Sequence, residues 1–550
     1  MAEQNGQPSL FQIRLGGQDL PDELARAVLE VHVEGSLFLP AVASIVLNDS
    51  KLRWVDDDSV GPGVALEVLG RSGRSYETLF DGEIVELELE FRSSTQRLIV
   101  RAMDRLHRLT RGRHVRSFVN VSDSDLVEKM AAESELQAET DAPGEIHEYV
   151  FQNNETNLAF LQRRARALGC QLYAEGKTLH FVQPDLTSEP VALKWGETLT
   201  EFLPRLTTLD QVRSVTVRGW DPTTRQEVIG QIDDGKRTSA LGESRAGAEL
   251  VSEAFQAEPA LYVTRTVRSQ GEAENLARSI ADARAERAIE AEGVCTGQPG
   301  VRAGARIRLE AVGDRFGGTY SVTTASHRYT PDEGYSTEFT ISGRSPTTLL
   351  DLMAPPEEDR PTLAVAIVTD NQDPKNEGRV KVRYPWLSSD HASDWARVVS
   401  PGGGAGRGLQ VLPEINDEVL VGFELGDLHH PYVLGGLWNG QDPPPEPSAE
   451  VIGDGEVQRR LFRSRTGHML LWDDSDPGGG ITIEDRNGNR VHLDSKEDGI
   501  TIEARGDITL RAEGALRLEA GAALELEGMG VTMDGKTGQV KISGSIIDLN

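Results

Sequence analysis

From residue 500 to residue 531 the chain reads ITIEARGD, ITLRAEGA, LRLEAGAA, LELEGMGV, a repeat of eight residues. Apolar residues recur at Ile500, Ile508, Leu516 and Leu524, and again two places later at Ile502, Leu510, Leu518 and Leu526. An i, i+2 pair of this kind lies on one face of a strand. Small residues at the sixth to eighth places of most units allow the chain to bend. The register then drifts, with Val531/Met533, Val540/Ile542 and Ile547/Leu549 still paired, and weaker pairs precede at Ile481/Ile483 and Val491/Leu493. A three-residue strand with a corner cannot bury its apolar face alone, so the repeats must stack and their edges must be paired. A single-chain solenoid uses about 20 or more residues per coil, and eight are too few to circle a core. The simplest closure winds three chains together, each supplying one face per layer. The expected product is a triangular prism whose core is Ile500, Ile502, Ile508, Leu510, Leu516, Leu518, Leu524 and Leu526. A disordered tail would not keep strict i, i+2 apolarity.

The remainder of the chain supports a β-rich reading. Its 550 residues are too many for one core. Hydrophobic residues make up 38%, aromatic residues only 5%, and there are 56 glycines, a balance that favours turn-rich β architecture. The formal net charge of −31 argues against nucleic-acid binding and against electrostatic attachment to an anionic membrane. Cys170 and Cys295 stand 125 positions apart with no CxxC, so neither a disulfide framework nor a zinc site is expected. No apolar run reaches the roughly 18–20 residues of a membrane helix, and stable membrane insertion is not expected. The opening MAEQNGQPSL has no basic-then-apolar pattern. The expectation is a protein made and assembled in the cytoplasm without a signal peptide, in a particle later released or fired.

Four regions are read along the chain: 1–220, 221–354, 355–445 and 446–550. In the first, 84–90 (IVELELE) and 97–103 (RLIVRAM) alternate as strands. Ser122 or Asp123 caps a helix through Leu136 with Leu126, Val127, Met130 and Ala131 on one face. Thr156 caps a second, which Gly169 stops. The second region holds a longer helix, about 272–292, striped by Leu276, Ala277, Ile280, Ala288 and Ile289, and then strands at 318–324 and 336–342. Residues 355–361 (PPEEDRP) form a linker. Strands at 363–368, 378–382, 418–423 and 432–434 fit a small antiparallel barrel.

Residues 363–445 resemble the OB-fold domain shared by VgrG proteins and contractile-phage tail spikes. The likeness rests on TDNQDP at 369–374, GRVKVRYPW at 378–386, WARV at 395–398, LPEINDEVLVGF at 412–423, HPYV at 430–433 and LGGLWNG at 434–440. Gly378, Arg379, Pro385, Trp386, Pro413, Asp417, Glu418, Val419, Gly426, Asp427, Pro431, Gly435, Asn439 and Gly440 carry the motif. Asn416 stands where the family has Gly before its Asp-Glu-Val run, and Asn also tolerates positive φ. DRLHRL at 104–109 and YVFQNNETNLAFLQRRARALG at 149–169 resemble the hub of the same family. There, two barrel-like domains per chain give a trimer pseudo-sixfold symmetry that seats a three-fold spike on a six-fold tube.

The chemistry-bearing candidates are few. PGGGAGRG at 401–408 lacks the Lys-Ser/Thr of a phosphate loop. His429-His430 has no third ligand nearby in sequence. Asp56–Asp58 reads as a solvated turn, and His492 is isolated, so no tip ion held by an HxH motif is expected. No catalytic residue, metal or cofactor is expected. The 35 or so positions at 446–480 leave no room for a lysozyme domain, and with the repeat running to Asn550 no fused enzyme domain is expected.

The fold expected is mainly β: β-barrel hub domains with a few helices, an OB-fold barrel, and a C-terminal intertwined triple-stranded β-helix formed by a homotrimer. The resemblance implies the structural spike of a contractile injection system, leaning to an extracellular phage-tail-like particle, with a type VI secretion VgrG or a phage tail spike as alternatives. Its implied partners are inner-tube, hub-adaptor and baseplate proteins at the hub, effector cargo, and a PAAR-type tip protein docked at Ile546, Ile547, Leu549 and Asn550. An adhesin is disfavoured because 481–550 lacks Trp and Tyr. A peptidoglycan hydrolase is disfavoured because no catalytic carboxylate pair stands out.

Overall fold

The computed structural model describes residues 10–548 apart from 93–94, 143, 210, 222–225, 244, 246, 256–258, 263–266, 268, 344–362 and 386–391. The chain divides into two units, Met1–Leu437 and Trp438–Asn550. Both are mainly β.

The first unit is organised by an eleven-stranded sheet. Its spatial order is Leu199–Leu206, Ile289–Thr296, Gly334–Ile341, Thr324–Thr330, Val28–Ser36, Val42–Asn48, Thr95–Asp104, Ser75–Arg92, Ala65–Ser72, Phe11–Leu15 and Gln18–Asp19. Strands from either side of residue 220 meet where Thr324–Thr330 pairs antiparallel with Val28–Ser36. The alternation read at 84–90 and 97–103 is present: Ile84, Leu98, Val100 and Ala102 are buried. Their neighbours point the other way, where Arg101 reaches Glu86 at 2.6 Å. Period-two patterning thus gives the sheet one apolar and one polar face.

Two helices sit on an insert between the barrel strands. Ser122 caps Asp123–Glu133 through a reciprocal bond with Asp125. Thr156 accepts from the Ala159 N–H to cap Asn157–Leu168, and Gly169 ends that helix at φ 70°. Leu126, Val127, Met130, Leu158, Phe160 and Leu161 form the core between them. Asp123 faces inward and ties the helices together, accepting from Arg164 at 2.5 and 2.9 Å and lying 3.0 Å from the His147 Nε2.

The longer helix differs from the expected 272–292. It spans Gln270–Glu286, and the chain then enters the strand Ile289–Thr296. Ala288 and Ile289 do extend the apolar stripe, but strands on both sides, Leu199–Leu206 and Gly334–Ile341, claim this segment for the sheet. Tertiary pairing here overrides a local helical pattern. The helix lies on a three-stranded sheet in which Gly230 leaves no space for a side chain: a Cβ there would fall 2.3 Å from the Ala273 backbone. The alanine stripe Ala273, Ala277, Ala281 is what permits this approach.

The 363–436 segment is a five-stranded barrel in the order Lys381–Arg383, Leu363–Asp370, Glu418–Phe423, Pro431–Gly436, Arg397–Val398, with a bridge from Val380 to Ala396 closing it. The second expected strand, 378–382, is shorter and later, because Gly378 at φ 72° is still in the turn.

The second unit contains an antiparallel meander, Arg459–Arg463, Met469–Asp473, Gly480–Glu484, Arg490–Asp494 and Gly499–Glu503. The weaker apolar pairs at 481/483 and 491/493 therefore pair within one chain, together with Ile500/Ile502. Beyond Glu503 the described residues of the single chain form no strand.

The Asp123 cluster makes stability depend on pH. Burial alone would raise this carboxyl, but hydrogen bonds and charge from His147 and Arg164 outweigh it and hold the group at about 2. A folded-state value below the unfolded one adds stability above pH about 4 that is lost as pH falls toward 2, on the order of 2 kcal/mol. Urea unfolding followed at pH 5 and pH 2.5 should therefore show Asp123→Asn clearly destabilised at pH 5. The gap to the parent protein should narrow at pH 2.5.

Candidate functional site

Two separate features are candidates for function: the joint between the helical-insert region and the OB barrel in the first unit, and the apolar face of the second unit.

The OB motif residues are chiefly turn-formers. Asp373 binds Arg379 through both oxygens, at 2.8 and 3.1 Å, and accepts from the Lys375 and Glu377 N–H groups. The guanidinium holds this carboxyl far below the usual range. Asp417 accepts from the Glu414 N–H at 2.7 Å, Pro413 accepts from Asn371, and Asn416 takes φ 77°, the conformation that Gly would otherwise supply. Glu418 and Val419 open a strand whose Val419 and Val421 are fully buried, and Pro431 opens the next, with Gly435 opposite Leu420. Gly426 turns the chain at φ 77° and Pro385 lies exposed. In the second unit Asn439 accepts from the Gln441 and Asp442 N–H groups, ahead of Gly440. Trp386 lies outside the described residues.

The hub plugs into this barrel. The two-stranded sheet of His114–Val121 and His147–Glu155 carries Phe151 into the barrel core beside Val368, Val382, Val421 and Phe423. The Tyr149 hydroxyl donates to the Ala392 carbonyl at 3.1 Å, and Lys375 meets Glu148 at 3.4 Å. His429, read only as a doubtful metal ligand, has a different job. Its Nδ1 lies 2.7 Å from Asp427 and its Nε2 accepts from the Phe151 N–H at 2.9 Å. Asp427 therefore sets the tautomer that fastens hub backbone to barrel. No periodicity or spacing marks His429 for this; only its partner, 278 positions away, does.

The DRLHRL run clamps the hub barrel to its helical insert. Asp104 accepts from the Ala41 and Leu106 N–H groups, while Arg105 donates to Asp81 and to the Gly176 carbonyl. Arg108 donates to Glu83 and to the Ser134 carbonyl.

In the second unit the meander has one apolar face. Trp472, Ile481, Leu493 and Ile500 align across the strands, and Phe462, Leu470, Ile483, Val491 and Ile502 align two places away. Most of these are exposed, Ile500 by 70% and Ile502 by 57%. The ladder continues through Ile508, Leu510, Leu516, Leu518, Leu524 and Leu526, all more than half exposed in the single chain. Ile546 and Ile547 are exposed likewise, while Leu549 and Asn550 lie outside the described residues. His492 lies in the opposite face, its Nδ1 2.9 Å from the Thr482 hydroxyl. Among the described residues no group of three or more His, Cys, Asp or Glu is placed to hold a metal ion, and no helix is long and apolar enough to cross a membrane.

Residues 6–331, more than half of the chain, match the family described as the Alg8 N-terminal domain. The chain belongs to that family. Residues 364–438 match the type VI secretion system/phage-baseplate injector OB domain, so the barrel joined to this Alg8-type hub is VgrG-like. Among relatives, the type VI secretion system spike protein VgrG5 of Pseudomonas aeruginosa is 36% identical over 119 residues, which cover 20% of this chain and 13% of that protein. The match thus spans a small part of the relative's length. An E. coli type VI secretion system component, described as structurally similar to T4 bacteriophage tail proteins, superposes with a TM-score of 0.50 at 16% identity, covering 77% of this chain and 99% of that one. The Francisella PdpA–VgrG complex gives 0.53 at 9% identity, covering 90% and 87%. At such identities the likeness is one of fold.

Phe151→Ala tests the joint. Removing a buried aromatic ring costs about 3–5 kcal/mol. Amide exchange should accelerate across Glu418–Phe423 and Pro431–Gly436 while Asp123–Glu133 stays protected.

Proposed function

We propose that this chain is the spike and hub subunit of a contractile injection system, a structural protein that works as a homotrimer. The observation that carries the reading is the exposed apolar ladder from Ile508 to Ile547, which has no strand partner among the described residues. Backbone N–H and C=O groups and an isoleucine–leucine row exposed together are stable only when other chains cover them. Three copies wound about one axis satisfy both needs. The cis-paired meander then hands its apolar face, through Ile500 and Ile502, to the intertwined part.

In this reading the barrel-rich hub meets the inner tube, a hub adaptor and baseplate proteins. The OB barrel is the collar that transmits thrust from hub to prism, and the prism punctures the target envelope. The chain itself carries out no catalysis. It is made and assembled in the cytoplasm and acts in a particle released or fired outside the cell. An extracellular phage-tail-like particle is the first assignment for the machine. The type VI spike protein among the relatives favours a type VI VgrG as the second assignment. Effector cargo is a further assigned partner; the Francisella VgrG is itself solved in complex with a second protein, PdpA. At the far end of the ladder, three copies of Ile546 and Ile547 form an apolar platform that suits a PAAR-type tip protein, with Leu549 and Asn550 assigned to the same surface.

Two experiments test these assignments. Leu518→Asp would place three carboxylates near one axis, and burying even one unpaired ion costs several kcal/mol. Light scattering should show monomers for Leu518→Asp and trimers for the outward-facing Arg517→Asp; equal trimerisation of both would refute the inward assignment. Deleting residues 546–550 should leave the trimer intact but abolish capture of a PAAR-type protein in a pull-down. Undiminished capture places the docking surface elsewhere.

A further inference from the structure

The barrel of 363–436 has an outward face whose chemistry is unlike the rest of this acidic chain. Its strand order makes Lys381–Arg383 and Arg397–Val398 the second and third strands of an OB fold. In such barrels those two strands present the surface that takes oligosaccharides and oligonucleotides. Val380, Val382, Ala396 and Val433 are buried in the barrel core. By strand alternation, Lys381, Arg383, Trp395, Arg397 and Tyr432 therefore point outward.

These side chains form a built surface. The Lys381 ammonium lies 5.2 Å from the Trp395 ring centre and the Arg397 guanidinium 5.5 Å from that of Tyr432. Among the described residues Lys381, Arg383 and Arg397 make no ion pair. The nearby carboxylates have other work: Asp370 accepts from the Gln372 N–H, Asp394 from the Trp395 N–H, and Asp373 and Glu377 hold Arg379. Glu424 accepts from the Tyr432 hydroxyl. Cations steadied against aromatic rings, yet unpaired, are poised for carboxylates or phosphates. In a chain of net charge −31 such a cluster is not generic surface.

We propose that this face binds a short anionic oligosaccharide, with Lys381, Arg383 and Arg397 taking its acidic groups and Trp395 packing on a sugar C–H face. Three cations without an ion pair among the described residues suit a few acidic groups. A long nucleic acid needs more phosphate contacts than these and meets repulsion from the whole chain. The inference stands apart from the spike reading and from trimer formation.

Calorimetric titration of the full chain at low salt tests it, with hexagalacturonate as the acidic probe, maltohexaose as its neutral counterpart and a twelve-nucleotide oligothymidylate. Hexagalacturonate should bind saturably and maltohexaose not at all. Arg397→Glu and Lys381→Glu should each weaken binding at least about tenfold, the effect of losing one charge-assisted contact. Hydrodynamic size and thermal unfolding should not change; if either does, Arg397→Gln and Lys381→Gln replace them in the same comparison. Trp395→Phe should retain binding. Absence of binding at millimolar hexagalacturonate, equal binding of maltohexaose, tighter binding of the oligothymidylate, or unweakened cation variants would each overturn the proposal.

Discussion

A strand whose backbone is unpaired and whose apolar side chains face water is the constraint on which this molecule turns. Hydrogen-bonding groups of the main chain must be satisfied somewhere, and an eight-residue unit is too short to fold back on itself with a core inside. The meander of Arg459–Glu503 meets the demand in cis, because turns such as 485–489, where Asp485 accepts from the Asn487 and Asn489 N–H groups, let successive strands pair. Past Arg505 the repeats shorten to Gly and Ala corners. Among the described residues the same apolar rhythm finds no strand partner there, and the trimer proposed above would answer it.

The first unit solves a different problem, fastening the small barrel to the two-stranded sheet of His114–Val121 and His147–Glu155. Phe151 does this by joining the barrel's core, and His429 does it by accepting a backbone N–H from the same strand. Apolar burial supplies the energy and the hydrogen bond supplies the direction, since a histidine held by Asp427 in one tautomer accepts along one line only.

Much of the fold was legible because it depends on neighbours in sequence. Ser122, Thr156 and Gly169 mark helix ends through bonds to residues three or four places away. The strands around 84–90, 97–103 and 418–423 announce themselves by alternation. Asn416 at positive φ follows from its own side chain. The 272–292 segment misled because an alanine-rich stripe looks the same whether it ends at Glu286 or runs on; two distant strands decided that it ends. His429 misled because a lone histidine pair carries no mark of what it touches.

The amino-acid order by itself determined the β-rich class, the OB-type barrel and the eight-residue ladder, since each is a pattern of period, turn chemistry or motif order held within a few residues. Only the tertiary structure decided that strands from 28–36 and 324–330 share one sheet, that Phe151 enters the barrel core, and that Lys381, Trp395, Arg397 and Tyr432 meet on one outward face. It also decided where cis pairing stops, at Glu503. These depend on which distant surfaces bury each other and which backbone edges find partners, and no local pattern encodes the identity of a partner hundreds of residues away.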